Sequence, residues 1–165
     1  MNHNHDHEEC GGCAVCALIN EGFTEDEANR IVSARDAACM DKFGWYAHLV
    51  QVDPHSPTGY NCHTHGVVES WEHPDFQIVL PLSPENAHGV LCVLIDRIKH
   101  GEQFESGQIV DRIVDGYSVL FSEAKECDRT VLRVIFPSKD GILPPTGPNA
   151  LQLQGTDQSE GITLN

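Results

Sequence analysis

The sequence predicts a single-domain α+β fold, with two main helices and a mainly antiparallel sheet of about five strands. The length of 165 residues is sufficient for one domain with its own core and is short for two. Two segments carry a helix N-cap followed by an apolar stripe, and several short segments are rich in β-branched and aromatic residues. We place the α+β domain at residues 23–150, between an N-terminal extension, 1–22, and a flexible tail, 151–165.

Each of the two predicted helices begins at a recognisable cap. Thr24 and Glu27 form a capping box, and the apolar stripe that follows them extends to residue 41, shortly before Gly44. The second helix has Ser83 as its N-cap and proline at its first position, and Gly101 closes it. These signals predict helices over residues 25–41 and 84–100.

The strands are predicted from local composition and alternation. Residues 45–52 are rich in aromatic and β-branched side chains. Residues 76–82 form an almost uninterrupted apolar run, which is typical of a strand covered on both faces. Residues 122–129 are polar and predict a connection between the last two strands. The predicted strands are 45–52, 60–67, 76–82, 117–121 and 130–136, and residues 108–114 show a weaker alternation.

The charge balance is strongly acidic, with 10 basic and 25 acidic residues and a formal net charge of -15. This excess argues against direct binding to a nucleic-acid backbone, which requires clustered lysine and arginine. An acidic surface either keeps the protein soluble or docks on a basic protein partner. No apolar run reaches the roughly 18 residues that cross a bilayer. The polar N-terminus does not resemble a signal peptide, so we expect a cytoplasmic protein.

Three cysteines near the N-terminus have a spacing that suits a metal site. Cys10, Cys13 and Cys16 follow the pattern C-x2-C-x2-C, which lets thiolates converge on one ion. An iron–sulfur motif would need a further cysteine at position 20, where the chain has asparagine, so zinc is favoured. The alternative is that the cysteines are small apolar residues at the start of a helix.

A zinc ion held by these thiolates needs a fourth ligand. We take His7 as that ligand, and the sequence leaves two alternatives, His5 and Cys39. The alternating histidines before Cys10 also resemble a flexible tail or an affinity tag. If zinc binds here, it would hold the extension in place rather than carry out chemistry.

A second group of candidate ligands lies between residues 60 and 82. On a strand, His63 and His65 share one face because side chains alternate, and His48 joins them only if the hairpin register allows it. His73 and Asp75 follow in the next loop and complete the candidate set. A divalent metal on such ligands, with one open position, would acidify bound water for hydrolysis. The alternative is structural, with His65 closing a strand and His73 forming a turn.

A nucleophilic cysteine is a further enzymatic possibility. Cys62 and His63 are adjacent on a strand and would face opposite ways. A pair between Cys62 and His48 across a hairpin depends on the register.

Several short motifs follow one another between residues 43 and 145. They are Tyr60, Thr64 and Gly66, then His73-Pro74-Asp75 with Ile78-Val79, then Gly101 and Gly107, and finally Phe136-Pro137 with Asp140-Gly141. In this order they resemble DUF4262, a domain family that is itself uncharacterised. The resemblance implies a compact α+β domain and supplies no activity, and it does not extend to the cysteine-rich N-terminus.

Three hypotheses about function follow. The first is a small accessory protein that acts by binding, with zinc in the N-terminal extension. The second is a metal-dependent hydrolase that uses His63, His65 and His73. The third is an acidic interaction module without a metal, whose binding to a basic partner would weaken with salt. Whether the protein is an enzyme is not determined by the sequence.

Overall fold

The computed structural model describes residues 13–51, 60–80, 82–138 and 141–143. Within these residues the chain forms an α+β domain, as the sequence predicts. The helices are α1 (Ala14–Asn20), α2 (Glu25–Phe43), α3 (Val67–Trp71) and α4 (Pro84–Lys99). The strands are β1 (Tyr46–Gln51), β2 (Tyr60–His65), β3 (Phe76–Ile78), β4 (Ile109–Val114), β5 (Tyr117–Glu126) and β6 (Arg129–Ile135).

The strands of the described chain form one mixed sheet in the order β1-β2-β3-β6-β5-β4. Neighbouring strands are antiparallel except β3 and β6, which run parallel at the centre. The sheet therefore has six strands and one parallel pair, where the sequence predicted about five mainly antiparallel strands. The parallel pair arises because the chain leaves β3 through α4 and returns by two hairpins, so that β6 runs beside β3 in the same direction.

One face of the sheet is apolar and packs under α4. Side chains alternate along a strand, and the registers place Cys62 beside Ile78 and Phe76 beside Leu132 on this face. The buried residues that α4 adds to the same core are Ala87, Leu91, Leu94, Ile95 and Ile98. Burial of this face is the main hydrophobic contribution to the stability of the fold.

The opposite face of the sheet carries polar side chains that are also buried. The registers align His63 with Gln77, and Gln77 with Arg133. Their exposed fractions are 5%, 0% and 2%. Buried polar groups require internal hydrogen-bond partners, so this face must contain a connected polar network.

Helices α2 and α4 begin at the predicted caps. The Thr24 hydroxyl accepts the Glu27 N–H at 3.3 Å, and the Glu27 carboxylate accepts the Thr24 N–H at 2.9 Å. Gly44 ends α2 in a left-handed conformation with φ 78. The Ser83 hydroxyl accepts the Asn86 N–H at 3.3 Å at the start of α4. Both predicted helices are confirmed, with α2 ending at residue 43 instead of 41.

Three segments differ from the predictions. Val67–Trp71 forms α3 instead of the end of a strand and a loop, and β3 ends at residue 78 instead of 82. β5 continues to residue 126 through the polar segment that was predicted as a connection. Pairing with β6 extends from Ser122↔Arg133 to Glu126↔Arg129. The backbone hydrogen bonds of that ladder hold a polar segment extended, which local composition does not reveal.

Helix α1 falls inside the predicted N-terminal extension and packs against α2. The predicted tail, 151–165, lies outside the described residues. In the four described ranges, no helix combines the length and apolarity needed to cross a membrane.

Gly66 links β2 to α3 in a backbone conformation with φ +92. A Cβ at this position would lie 2.9 Å from the carbonyl oxygen of Gly44 and would overlap the sulfur of Met40. We expect Gly66→Ala to lower the free energy of unfolding by about 3 kcal/mol, because backbone strain and the steric overlap both oppose the native state. Urea unfolding followed by circular dichroism measures the change.

Gly101→Ala is the matched control, because Gly101 has φ +94 and a Cβ added there would meet nothing within 4 Å. Backbone strain alone should cost this variant about 1 kcal/mol. If the two variants lose the same unfolding free energy, Gly66 does not pack closely against the Gly44 carbonyl, and the prediction is wrong.

Candidate metal centre

The register of the first hairpin brings three histidines together on the polar face. β1 and β2 pair His48 with His63 and Tyr46 with His65, so His48, His63 and His65 share one face. The ring centroids are 5.7 Å apart for His48 and His63, 4.5 Å for His48 and His65, and 5.1 Å for His63 and His65. One ligand atom from each ring lies within 4.8 Å of the others. The rings therefore form a compact group of nitrogen donors.

Carboxylate and amide groups orient two of these rings. The Nε2 atom of His48 is 3.0 Å from Oδ2 of Asp36 on α2. The Nδ1 atom of His63 is 3.3 Å from the side-chain oxygen of Asn61 and 3.6 Å from Oε1 of Glu126. Asp36 accepts from the His48 ring and the Asn61 oxygen accepts from the His63 ring, which leaves the lone pair on the other nitrogen of each ring. An oxygen acceptor behind the ring is common in metal-binding histidines.

The group behind His63 extends into a buried network. Oε2 of Glu126 accepts from Nδ2 of Asn61 at 3.0 Å and from Nε2 of Gln77 at 2.5 Å. The Gln77 oxygen in turn accepts from Nε of Arg133 at 2.8 Å. Glu126, Gln77 and Arg133 are all buried. This network fixes the Glu126 carboxylate and, through its hydrogen bond to Asn61, the amide whose oxygen lies 3.3 Å from Nδ1 of His63 and orients that ring.

His65 lies between an aromatic ring and a cation. The Tyr46 ring stacks on it with centroids 4.9 Å apart and an angle of 11° between the planes. Nη2 of Arg129 is 3.4 Å from Nε2 of His65 and donates to the Thr64 carbonyl at 2.9 Å. Nη1 of Arg129 forms an ion pair with Oδ2 of Asp75 at 2.8 Å. A guanidinium is thus held at the side of the histidine group.

Asp75 lies behind Arg129 and is not one of the grouped ligands. Its Oδ1 accepts from the Thr64 hydroxyl at 2.8 Å and from the Val67 N–H at 3.3 Å. Burial raises the pKa of Asp75, while the Thr64 hydrogen bond and the Arg129 charge oppose that rise. The carboxylate therefore joins β2, α3 and Arg129, and it reaches the histidines only through Arg129.

His73 belongs to the core and not to the histidine group. Its Nδ1 donates to the Pro74 carbonyl at 2.7 Å, and its Nε2 accepts the Phe104 N–H at 3.0 Å. Burial lowers the pKa of His73, which favours the neutral ring that both hydrogen bonds require. With both nitrogens engaged, His73 has no lone pair to offer a metal. The third histidine of the group is His48, and not His73 as the sequence predicted.

The comparison with protein families identifies the domain. The model of DUF4262, a domain of unknown function, matches residues 39–147. The chain belongs to the DUF4262 family. Comparisons with curated proteins and with solved structures found no match. The family assignment confirms the resemblance seen in the sequence.

The three grouped histidines lie inside the DUF4262 region, whereas Cys13 and Cys16 precede it. The histidine group therefore lies within the family domain. The cysteines belong to the part of the chain before the family match. The two candidate sites of this DUF4262 protein are thus independent in sequence.

Cys62 faces away from the histidines in the DUF4262 domain. Its partner across the hairpin is Leu49, and it is buried in the core beneath α4. Burial raises the pKa of the Cys62 thiol to about 12, so the group stays protonated at neutral pH. The hypothesis of a Cys62–His48 nucleophile is therefore wrong.

The N-terminal candidate site is described only in part. Cys13 is the N-cap of α1, and its Sγ is 3.5 Å from Sγ of Cys16. Cys10 and His7 lie outside the described residues. The proposed zinc ligation by Cys10, Cys13, Cys16 and His7 stays a prediction.

Sequence reasoning missed the residues that orient the DUF4262 histidines. Asp36 is a partly buried acidic residue within α2, and Glu126 lies in the segment predicted as a connection. Asn61 and Tyr46 share the strand face of the histidines, so a known register would have identified both. Glu126 is 63 residues from His63 in sequence, and no local signal joins them.

The low pKa of His73 has a measurable effect on stability. Its pKa is lower in the folded state than in the unfolded chain, so the unfolded state binds the proton first as pH falls. Stability should therefore be complete above about pH 6.5 and should decrease below it. We expect His73→Gln to be about 1–3 kcal/mol less stable at neutral pH and to lose less on acidification than the wild type.

Urea unfolding at several pH values between about 8 and 5.5 measures this difference. His100→Gln is the control, because His100 is the exposed C-cap residue of α4. A His73→Gln variant with the same pH dependence as the wild type would contradict the assignment.

Proposed function

We propose that this DUF4262 domain binds a divalent transition-metal ion through His48, His63 and His65 and uses it to activate water for hydrolysis. The observation that supports this proposal is the grouping of three imidazole donors within 4.8 Å. Two of the rings have an acidic partner, Asp36 or Glu126.

The donor set favours zinc over other common metals. Imidazole nitrogens suit zinc, copper, iron and nickel, whereas calcium and magnesium take oxygen ligands. Three protein nitrogens leave a fourth position for water, which is the ligand count of catalytic zinc sites. We therefore propose zinc as the ion at this site.

The geometry requires the rings to move closer together. Zinc–nitrogen bonds of about 2.0–2.1 Å in a tetrahedron place the ligand nitrogens about 3.4 Å apart. The upper distance within the group is 4.8 Å, so small ring rotations and shifts must accompany binding. Asp36 and Asn61 limit those rotations because each is hydrogen-bonded to one nitrogen of a ring.

A metal in this position would supply the chemistry of a hydrolase. Zinc-bound water has a pKa of about 7, so hydroxide becomes available at neutral pH. Arg129 lies beside His65 and would stabilise negative charge that develops on a substrate oxygen. The buried network behind His63 would keep water away from the inner side of the ion.

Metal content by elemental mass spectrometry tests the binding step. We expect about one zinc per chain in tag-free wild type, and a tenfold or greater loss of affinity in His48→Ala and His63→Ala. His88→Ala is the matched control, because His88 stacks on Trp45 and is outside the group. Retention of the metal in His63→Ala and its loss in Cys13→Ser would contradict the proposal.

The hydrolytic step needs its own test. Zinc-loaded wild type should cleave activated esters or phosphate esters, with a rate that falls to background in His63→Ala. If the protein binds one zinc and cleaves neither ester class, the result would support metal binding and contradict the proposed hydrolase activity.

The alternative is an accessory protein whose zinc lies in the N-terminal extension. The 3.5 Å distance between Sγ of Cys13 and Sγ of Cys16 favours it, because two thiolates on one tetrahedral zinc are about 3.8 Å apart. In this version the net charge of -15 would direct the protein to a basic partner in the cytoplasm. Chelation would then loosen α1 and leave the histidine group unchanged.

A further inference from the structure

Two cysteine side chains meet at the start of α1. Cys13 is the N-cap, with an extended backbone at φ -86 and ψ 165, and Cys16 lies three residues later in the first turn. Their sulfur atoms are 3.5 Å apart. The backbone N–H of Cys16 points to Sγ of Cys13 at 3.5 Å, which holds that sulfur over the helical turn.

This arrangement is close to the geometry of a disulfide. The sulfur atoms of a disulfide are about 2.05 Å apart, so Sγ of Cys13 and Sγ of Cys16 must approach by about 1.5 Å. The two residues already lie in one turn of chain, and side-chain rotation supplies most of that movement. Both residues are only partly buried, so a small reagent has access to the sulfurs.

We propose that Cys13 and Cys16 form a reversible disulfide by exchange with a low-molecular-weight disulfide of the glutathione class. One cysteine thiolate attacks a sulfur of the reagent, forms a mixed disulfide and releases one reagent thiolate, which takes up a proton. The second cysteine thiolate then attacks the protein sulfur of the mixed disulfide and releases the other half of the reagent. The protein dithiol loses two electrons and two protons, and the reagent disulfide becomes two thiols.

The surroundings of the other cysteines favour oxidation at this pair. Cys62 is buried in the core, and burial raises the pKa of its thiol to about 12. Burial also raises the pKa of the thiols of Cys92 and Cys127. Exchange proceeds through the thiolate, so the raised pKa slows the reaction of Cys62, Cys92 and Cys127. Within the described residues, Cys13 and Cys16 have sulfur atoms in contact, at 3.5 Å.

The test must separate this pair from Cys10, which lies on the same tryptic peptide ending at Arg30. We therefore use the full chain with Cys10→Ser, reduced and then equilibrated in a glutathione buffer, both with and without one equivalent of zinc. Acid quenching, alkylation of the remaining thiols, trypsin digestion and mass spectrometry follow. The matched control is Cys10→Ser with Cys16→Ser, which keeps a single thiol in the peptide.

In zinc-free samples, we expect most of the peptide to be two hydrogen atoms lighter than the reduced form, with neither Cys13 nor Cys16 alkylated. Dithiothreitol should restore two alkylated cysteines. The control should instead carry glutathione on Cys13. Complete alkylation of both cysteines, or a mixed glutathione disulfide as the final product in Cys10→Ser, would overturn the proposal.

The zinc-containing samples give a second comparison. Disulfide formation that is unchanged by zinc supports a redox pair. Tight zinc binding that depends on Cys13 and Cys16 and prevents the disulfide would overturn it, and the pair would then be a metal ligand. The histidine group plays no part in this experiment, so its failure leaves the proposed metal centre untouched.

Discussion

The pairing of β1 with β2 in a single register determines which side chains reach the polar face of the sheet. His48 stands opposite His63, and Tyr46 stands opposite His65. A shift of one residue would turn His48 toward the apolar core beneath α4 and separate the three rings. Gly66, directly after β2, and Gly44, shortly before β1, pack closely and hold the open end of this hairpin. The candidate metal centre therefore depends on the backbone register of β1 and β2.

Burying charged side chains on the polar face of the sheet costs free energy, and packing of the fold does not require charges at these positions. Taking the charges of Glu126 and Arg133 out of water costs several kcal/mol per ion before their hydrogen bonds offset it. Apolar residues of similar size at such positions often stabilise a protein as well or better. The network that joins these charges through Gln77 also orients His63. The network therefore also holds Asn61 in position beside Nδ1 of His63.

The sequence predicted the two main helices, α2 and α4, well, because their signals are local. The capping box at Thr24 and the Ser83–Pro84 start both appear in the structure at the expected positions. The strands of the sheet were harder to predict. β3 is only three residues long, and it is held in the sheet by pairing with β6, which is distant in sequence. The polar end of β5 gave no strand signal, since its pairing with β6 and not its composition holds it extended.

The candidate site was predictable only in part for the same reason. Alternation placed His63 and His65 on one face, but His48 depended on a hairpin register that sequence does not fix. His73 looked equivalent to the other histidines until its two hydrogen bonds, to Pro74 and Phe104, placed it in the core. Asp75 looked like a ligand and instead holds Arg129. The residue types suggested a metal site, and only the tertiary structure showed which residues form it.

The most direct test of the metal centre is X-ray absorption spectroscopy of the zinc-loaded chain, which identifies the atoms bound to the ion. We predict three imidazole nitrogens and one oxygen, at about 2.0–2.1 Å, with no sulfur bound to the ion. A shell of sulfur atoms at about 2.3 Å would place the ion on cysteines and contradict the proposed histidine centre.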